Sequence, residues 1–138
     1  MILTIYLSSS VSLNEWKKEV KEYSFSEKVR IYDPLRDEDV KLEEKDQKWV
    51  VPRDLFELER SDILLCYLTN SPSRFSFGTP CECMEAFRKD KPIVVVTTSE
   101  DVKSHPWVKF LATKIFSTVR EACDFIDENF NHNFEEVG

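Results

Sequence analysis

Glu82 closes the segment Gly78-Thr79-Pro80-Cys81-Glu82, and this is where chemistry is first sought in the sequence, because Gly78 is its only interior glycine. Average usage would place about 7% glycine in a chain of this kind, so the one kept inside the sequence is informative. A residue without Cβ is retained where the backbone takes an unusual conformation or where something must approach closely. On that reading Glu82 is a candidate catalytic carboxylate. The competing reading is structural: Thr79-Pro80-Cys81-Glu82 has the S/T-x-x-E form of a capping box, with proline at the first helical position. Thr118-Val119-Arg120-Glu121 has the same form at a place where no function is expected. Two more groups could join Glu82. Asp54 lies near a helix start, where the alternative is an acid placed for the macrodipole. Tyr6 ends the first strand, where the alternative is a core tyrosine.

Other chemistries fail on spacing. Cys66, Cys81, Cys83 and Cys123 show no CxxC pair, so a zinc cage is not expected, and a reducing setting leaves them as thiols, most of them core fillers. Neither Cys81 nor Cys83 stands at the right distance from Arg88 for the five-residue loop of a cysteine phosphatase. No Walker lysine motif and no G-x-G-x-x-G is present, and no cofactor or metal is expected. His105 and His132 are isolated and read as surface or packing residues. A net charge of −7 argues against a nucleic-acid surface and leaves a small polar ligand open.

The elements that must position these residues alternate. Strands are expected at 2–7, 29–32, 63–68, 93–97 and 115–116, and helices at 13–23, 51–58, 80–89, 105–112 and 118–130. Pro52 is expected in the first turn of its helix. The densely charged stretch 36–48 reads as a solvated loop or lid, and the tail 131–138 as polar and loose. Five short apolar strands separated by helices imply an α/β fold: a doubly wound, five-stranded parallel sheet in flavodoxin-like (Rossmann-like) order with helices on both faces. With 138 residues and 41% apolar content, one domain over 1–130 is the economical reading. In such sheets ligands bind beyond the carboxyl ends of the strands, at the switch point between the first and third. The loops available there are Ser8-Ser9-Ser10 and the stretch from Thr69 to Glu82. Asp54 falls at this edge, whereas Asp62 precedes the third strand at the opposite one. The apolar start of the chain is too short to span a membrane and lacks a signal-peptide pattern, so no membrane partner and a cytoplasmic location are expected.

Taken together, Tyr6-Leu7-Ser8, Asp54-Leu55 ahead of Ser61-Asp62-Ile63-Leu64-Leu65, and Gly78-Thr79-x-x-Glu82 followed by Ala86 resemble the nucleoside 2-deoxyribosyltransferase superfamily, over about residues 2 to 127. The resemblance implies that Glu82 attacks the anomeric carbon of a nucleoside to form a glycosyl ester, as a carboxylate suited to an oxocarbenium-like transition state can. It implies that Asp54 protonates or binds the base and that Tyr6 holds Glu82 in place. Transferases of the superfamily usually carry an aspartate six residues before the nucleophile, and here that position is Ser76. The hydrolases of nucleoside 5'-monophosphates have a serine there that contacts the phosphate, and another at the position of Ser10. The arginine many of them place just beyond the first strand is missing, with Ser12 nearby. Ser8, Ser10, Ser76 and Gly78 are therefore the implied substrate-binding residues, with Ser104 the nearest match to a serine that a neighbouring subunit contributes. A homodimer or larger symmetric assembly is implied by the family. The leading expectation is an N-glycosidase acting on a (deoxy)nucleoside or its 5'-monophosphate, with transfer of the sugar to water. The alternatives are deoxyribosyl transfer to a second base, a non-catalytic nucleotide-binding module, and a TIR-like enzyme that cleaves NAD.

Overall fold

Aliphatic and β-branched segments pair in parallel, and the alternation of their side chains decides which face each helix covers. The structure, a computed structural model, describes residues 2–10, 13–34, 48–74 and 76–132. Most of the charged stretch 36–48, Ser12 and most of the tail lie outside these residues. In chain order the elements are β1 (Leu3–Ser8), α1 (Glu15–Glu22), β2 (Val29–Tyr32), α2 (Val50–Glu59), β3 (Ile63–Tyr67), a 3-10 turn (Pro72–Arg74), α3 (Gly78–Arg88), β4 (Ile93–Val96), α4 (Glu100–Ser104), α5 (Pro106–Leu111), β5 (Lys114–Phe116) and α6 (Val119–Phe130). The strands form one parallel sheet in the order β2-β1-β3-β4-β5, with Ser8 opposite Cys66 at the carboxyl edge. This is the doubly wound, flavodoxin-like sheet that the sequence leads one to expect, and it has its switch point between β1 and β3.

Successive strand residues point to opposite faces. Ile5, Leu7, Ile63, Leu65, Val94 and Val96 meet Trp16 and Val20 of α1 and Ala122, Cys123 and Ile126 of α6. Tyr6, Leu64, Cys66, Ile93 and Val95 face the other way, onto Leu58 of α2, Cys83 and Ala86 of α3, and Val108 and Leu111 of α5. Tyr6 and Ser8 are two residues apart on β1, so both are turned toward the α2 and α3 face.

Two expectations about the start of α3 need correction. Gly78 is the first residue of α3 and has no positive φ, so no unusual backbone conformation demands it. Pro80 is the third residue of α3 and not the first, where a missing N–H is still harmless because the first turn has no intrahelical acceptor for it; Pro52, third in α2, lies in the first turn as expected. The region 105–112 is preceded by a separate short helix, α4, whose Ser99 hydroxyl accepts the Val102 N–H. In a chain so poor in glycine, α3 ends on Asp90 in the left-handed region at φ 57°. There Lys91 N–H bonds the Ala86 carbonyl at 2.9 Å and Asp90 N–H bonds that of Phe87 at 3.1 Å, a Schellman closure made without glycine.

The capping box at Thr118 does close a helix: the Glu121 N–H donates to Thr118 Oγ1 at 3.2 Å, and the Thr118 hydroxyl donates to Glu121 Oε1 at 2.8 Å. Thr118→Ala is expected to cost about 1 kcal/mol of stability in a denaturant titration, with no change in ligand binding.

Candidate active site

Glu82 is held from the strand side. The Tyr6 hydroxyl donates a short hydrogen bond to Glu82 Oε2, and the Ser8 hydroxyl donates to Glu82 Oε1 at 2.8 Å. Tyr6 is fully buried and Ser8 nearly so. The same spacing that could have made a capping box therefore does something else at α3. A first-turn N–H, that of Thr79, goes to Ser76 Oγ at 3.2 Å, and Glu82 bends toward β1 instead of back to Thr79. Ser76 thus serves as the side-chain cap, and Glu82 is released from that duty.

The hydroxyls form a connected line. Ser76 Oγ and Thr79 Oγ1 are 3.2 Å apart, as are Thr79 Oγ1 and Ser8 Oγ. Each hydroxyl has one proton to give. The Ser8 proton is committed to the carboxylate, and the Thr79 hydroxyl donates to Ser76 Oγ, so Ser8 is the member of the line that gives its proton to Glu82. Gly78 closes this corner: a Cβ there would sit 3.8 Å from Glu82 Oε1 and 3.9 Å from Ser76 Oγ. A methyl group would fit in ordinary contact, but it would occupy the space beside the carboxylate oxygen. Neither backbone conformation nor crowding within the chain demands glycine at this position.

Burial raises the Glu82 pKa above the ordinary carboxylate value. The hydrogen bonds from Tyr6 and Ser8 pull the other way, the Asp54 charge adds to the rise, and Lys17 opposes it. Burial likewise pushes the Tyr6 phenol up, reinforced by the charge and hydrogen bond of Glu82 and then by Asp54 and Glu57. Tyr6 is accordingly a donor at any working pH. Asp54 comes from the first half of α2 and is partly buried, with Arg53 bridging to its Oδ1 at 3.3 Å and to the Pro34 carbonyl at 2.9 Å. Its charge acts on both Tyr6 and Glu82. Asp62 instead accepts the Thr4 N–H at 2.8 Å at the opposite edge, as its position in sequence implies.

Ser10 and Ser76 line one small pocket beside Thr79. Ser104 does not join the set in this chain; its hydroxyl donates to the Glu100 carbonyl at 2.9 Å at the exposed end of α4. Cys66, Cys83 and Cys123 are buried and Cys81 is exposed. Among the described residues, no group of three or more His, Cys, Asp or Glu residues could hold a metal ion. No described helix is long and apolar enough to cross a membrane.

Two buried charged residues carry no motif. Glu57, three positions after Asp54, is buried and its charge reaches Tyr6. Lys17 is 2% exposed, bonds Asp33 Oδ1 at 2.8 Å, and acts on Glu82 through its charge. Burial lowers the Lys17 pKa, and Asp33 counters that.

No protein-family model and no curated protein matches the chain. Among solved structures, it is similar to a 2-deoxyribosyltransferase from Bacillus psychrosaccharolyticus, with TM-score 0.65 and 13% identity over 95% of this chain and 93% of that one. It is similar to a conserved protein from Enterococcus faecalis V583, with TM-score 0.72 and 13% identity over 94% of this chain and 100% of that one. A 2-desoxiribosyltransferase from Leishmania mexicana gives TM-score 0.70 and 14% identity over 93% of this chain and 99% of that one. At such identities the likeness is one of fold: this chain has the α/β architecture of these three proteins along nearly its whole described length.

Proposed function

We propose that this protein cleaves the N-glycosidic bond of a (deoxy)nucleoside or its 5'-monophosphate, with Glu82 as nucleophile, Asp54 as proton carrier for the leaving base, and water as final acceptor. The observation that carries the reading is the clamping of Glu82 by Tyr6 and Ser8 at the switch point. In the first step a Glu82 oxygen bonds to the anomeric carbon as the carbon–nitrogen bond breaks. The base leaves with the electron pair and takes a proton from Asp54. In the second step water attacks the same carbon, frees Glu82, and returns a proton to Asp54. Two of the similar folds belong to proteins named deoxyribosyltransferases, and this supports a second reading in which another base replaces water.

A panel of nucleosides and monophosphates, incubated with and without an acceptor base, distinguishes the two. Water as acceptor requires free base and free sugar from reactions without an acceptor base; base release only when an acceptor is added assigns transfer instead.

The clamp also sets the pH profile. The nucleophile must be ionised, so kcat/KM falls as pH drops through the Glu82 pKa, and this acid limb lies above the usual carboxylate range. Tyr6→Phe removes a donor that lowers that pKa. The acid limb of Tyr6→Phe is expected at higher pH than in the wild type, with a rate loss of roughly tenfold at neutral pH from a single lost charged hydrogen bond. An unmoved limb in the pH profile would remove Tyr6 from this role.

A further inference from the structure

A cavity of about 500 Å³ lies across α3 from Glu82, between that helix, the end of β3, the face of β4, and helices α4 and α5. Small-molecule sites have volumes of roughly 300–1,000 Å³, and packed interiors leave few voids larger than a water molecule. Leu68, Pro80, Cys83, Val108 and Leu111 make the wall apolar, and Trp107 adds a flat indole face. Tyr6, Asp54 and Glu82 take no part in it, and it meets the small pocket of Ser10 and Ser76 only at Leu68, Thr69 and Pro80. In the six residues of α5, PWVKFL, the side chains of Trp107, Val108, Phe110 and Leu111 are large and apolar, yet none is buried. Trp107 is 60% exposed. A helix of this composition normally buries its apolar stripe, and here the stripe borders open volume.

The polar groups are few, and they set the charge that a ligand can carry. Among the described residues of the wall, Asp101 is the one formally charged side chain. The lysine nearest to it in sequence, Lys103, is engaged by Glu100 at 3.3 Å and by the Ser117 hydroxyl at 2.7 Å. His105 Nδ1 accepts the Trp107 N–H at 3.2 Å, so the neutral ring carries its proton on Nε2. Thr69 and Asn70, just past β3, complete the polar set. We propose that this cavity is a second ligand site, separate from the Glu82 crevice, which takes a flat, fused-ring aromatic amine, neutral or singly positive, and rejects anions. The indole of Trp107 suits stacking and cation–π contact with such a ring, and the apolar wall removes its faces from water. The Asp101 carboxylate accepts from its amino group. A carboxylate or phosphate would meet Asp101 with no cation in the wall to offset the repulsion. The inference does not rest on Glu82 being a nucleophile, because α3 carries Pro80 and Cys83 on this side and turns Glu82 toward β1.

Calorimetric titration with three probes of similar size tests this: 4-aminoquinoline, positive at neutral pH; quinoline, neutral; and quinoline-4-carboxylate, an anion. The amine is expected to bind on the order of tenfold more tightly than the carboxylate, with quinoline between them, and Asp101→Asn should bring amine and carboxylate within about twofold of each other. Asp101 is exposed, so this variant changes charge without disturbing the core. Ala112→Phe, which fills the cavity from its wall, should abolish binding of all three, with thermal unfolding to establish that it is folded. Where it is not folded, Asp101→Asn and the amide resonances decide alone. On addition of 4-aminoquinoline the amide resonances of 68–70 and 101–112 should shift and those of Tyr6 and Ser8 should not, and Glu82→Gln should bind the amine as the wild type does. Absence of binding at millimolar amine, binding indifferent to Asp101, or shifts centred on Tyr6 and Ser8 overturns the site and leaves the glycosidase reading intact. A second copy of the chain in the cavity also overturns it, seen by sedimentation as a dimer that Ala112→Phe dissociates and that binds no amine. Amine binding with the expected order in a protein that cleaves no nucleoside leaves this site standing and removes the glycosidase reading.

Discussion

Glu82→Gln is expected to abolish base release, on the order of 10⁴-fold or more in kcat, while leaving the protein as stable as the wild type or more so at neutral pH. The two halves of this result come from one feature. Burial holds the Glu82 pKa above its ordinary value, so the folded protein favours the protonated form. A group of this kind contributes stability that is complete below its unfolded pKa and is lost as pH rises through the raised folded value. A nucleophile that works at neutral pH is ionised there, and in that state the wild type has lost it. Glutamine is neutral at every pH, has nearly the same shape, and keeps an oxygen for one of the two donors, Tyr6 or Ser8. The stability difference between variant and wild type should therefore shrink as the pH is lowered toward the carboxylate range. A glutamate that merely closed a helix would behave in the opposite sense, with full turnover and a loss of roughly 0.5 to 2 kcal/mol on removal of the cap. Paired measurements of base release and of denaturant unfolding at neutral and acid pH separate the two. Lost activity accompanied by lost stability at neutral pH would count against a strained nucleophile.

The strands and their order were legible because a parallel sheet buried on both faces needs continuous aliphatic runs, and β3 (ILLCY) and β4 (IVVV) are almost nothing else. The capping box was the harder matter. Thr79-x-x-Glu82 and Thr118-x-x-Glu121 are the same pattern, and only the second caps. What differs lies outside the pattern: Ser76, three residues before Thr79, takes the N–H first, and Tyr6 and Ser8 offer Glu82 better donors across the chain. Gly78 reads as either an unusual backbone conformation or a close approach; the first is absent, and φ cannot be read from composition.

The buried charges had a readable signature that a search for motifs passes over. Leu13, Trp16, Lys17 and Val20 occupy the i, i+3, i+4, i+7 stripe of a helix that packs inward, and a lysine there must find a partner. Asp54, Glu57, Leu58 and Ser61 repeat the stripe at α2 with two acids at its upper end.

Asp54→Asn should slow the cleavage of ordinary nucleosides by roughly 10²- to 10⁴-fold, the usual contribution of a positioned proton donor. Asp54 affects the site in two ways that act in opposite directions. Its charge raises the pKa of Glu82, so removing it makes the nucleophile easier to ionise and moves the acid limb of kcat/KM downward. If that were its only influence, Asp54→Asn would be as fast as the wild type and faster at low pH. A departing purine or pyrimidine anion, however, is a poor leaving group, and the crevice already holds the negative charges of Glu82 and Glu57 near Tyr6. Expelling a further anion there, without a proton, works against that field. The leaving group itself supplies the discriminating measurement. A nucleoside whose base is already cationic through N7 methylation departs neutral and needs no proton, so its kcat/KM should change little in Asp54→Asn, whereas its unmethylated counterpart suffers the full loss. Equal losses on both substrates would mean that Asp54 only positions the base, and Arg53, which bridges to Asp54 at 3.3 Å, would then matter for holding that contact and not for proton transfer.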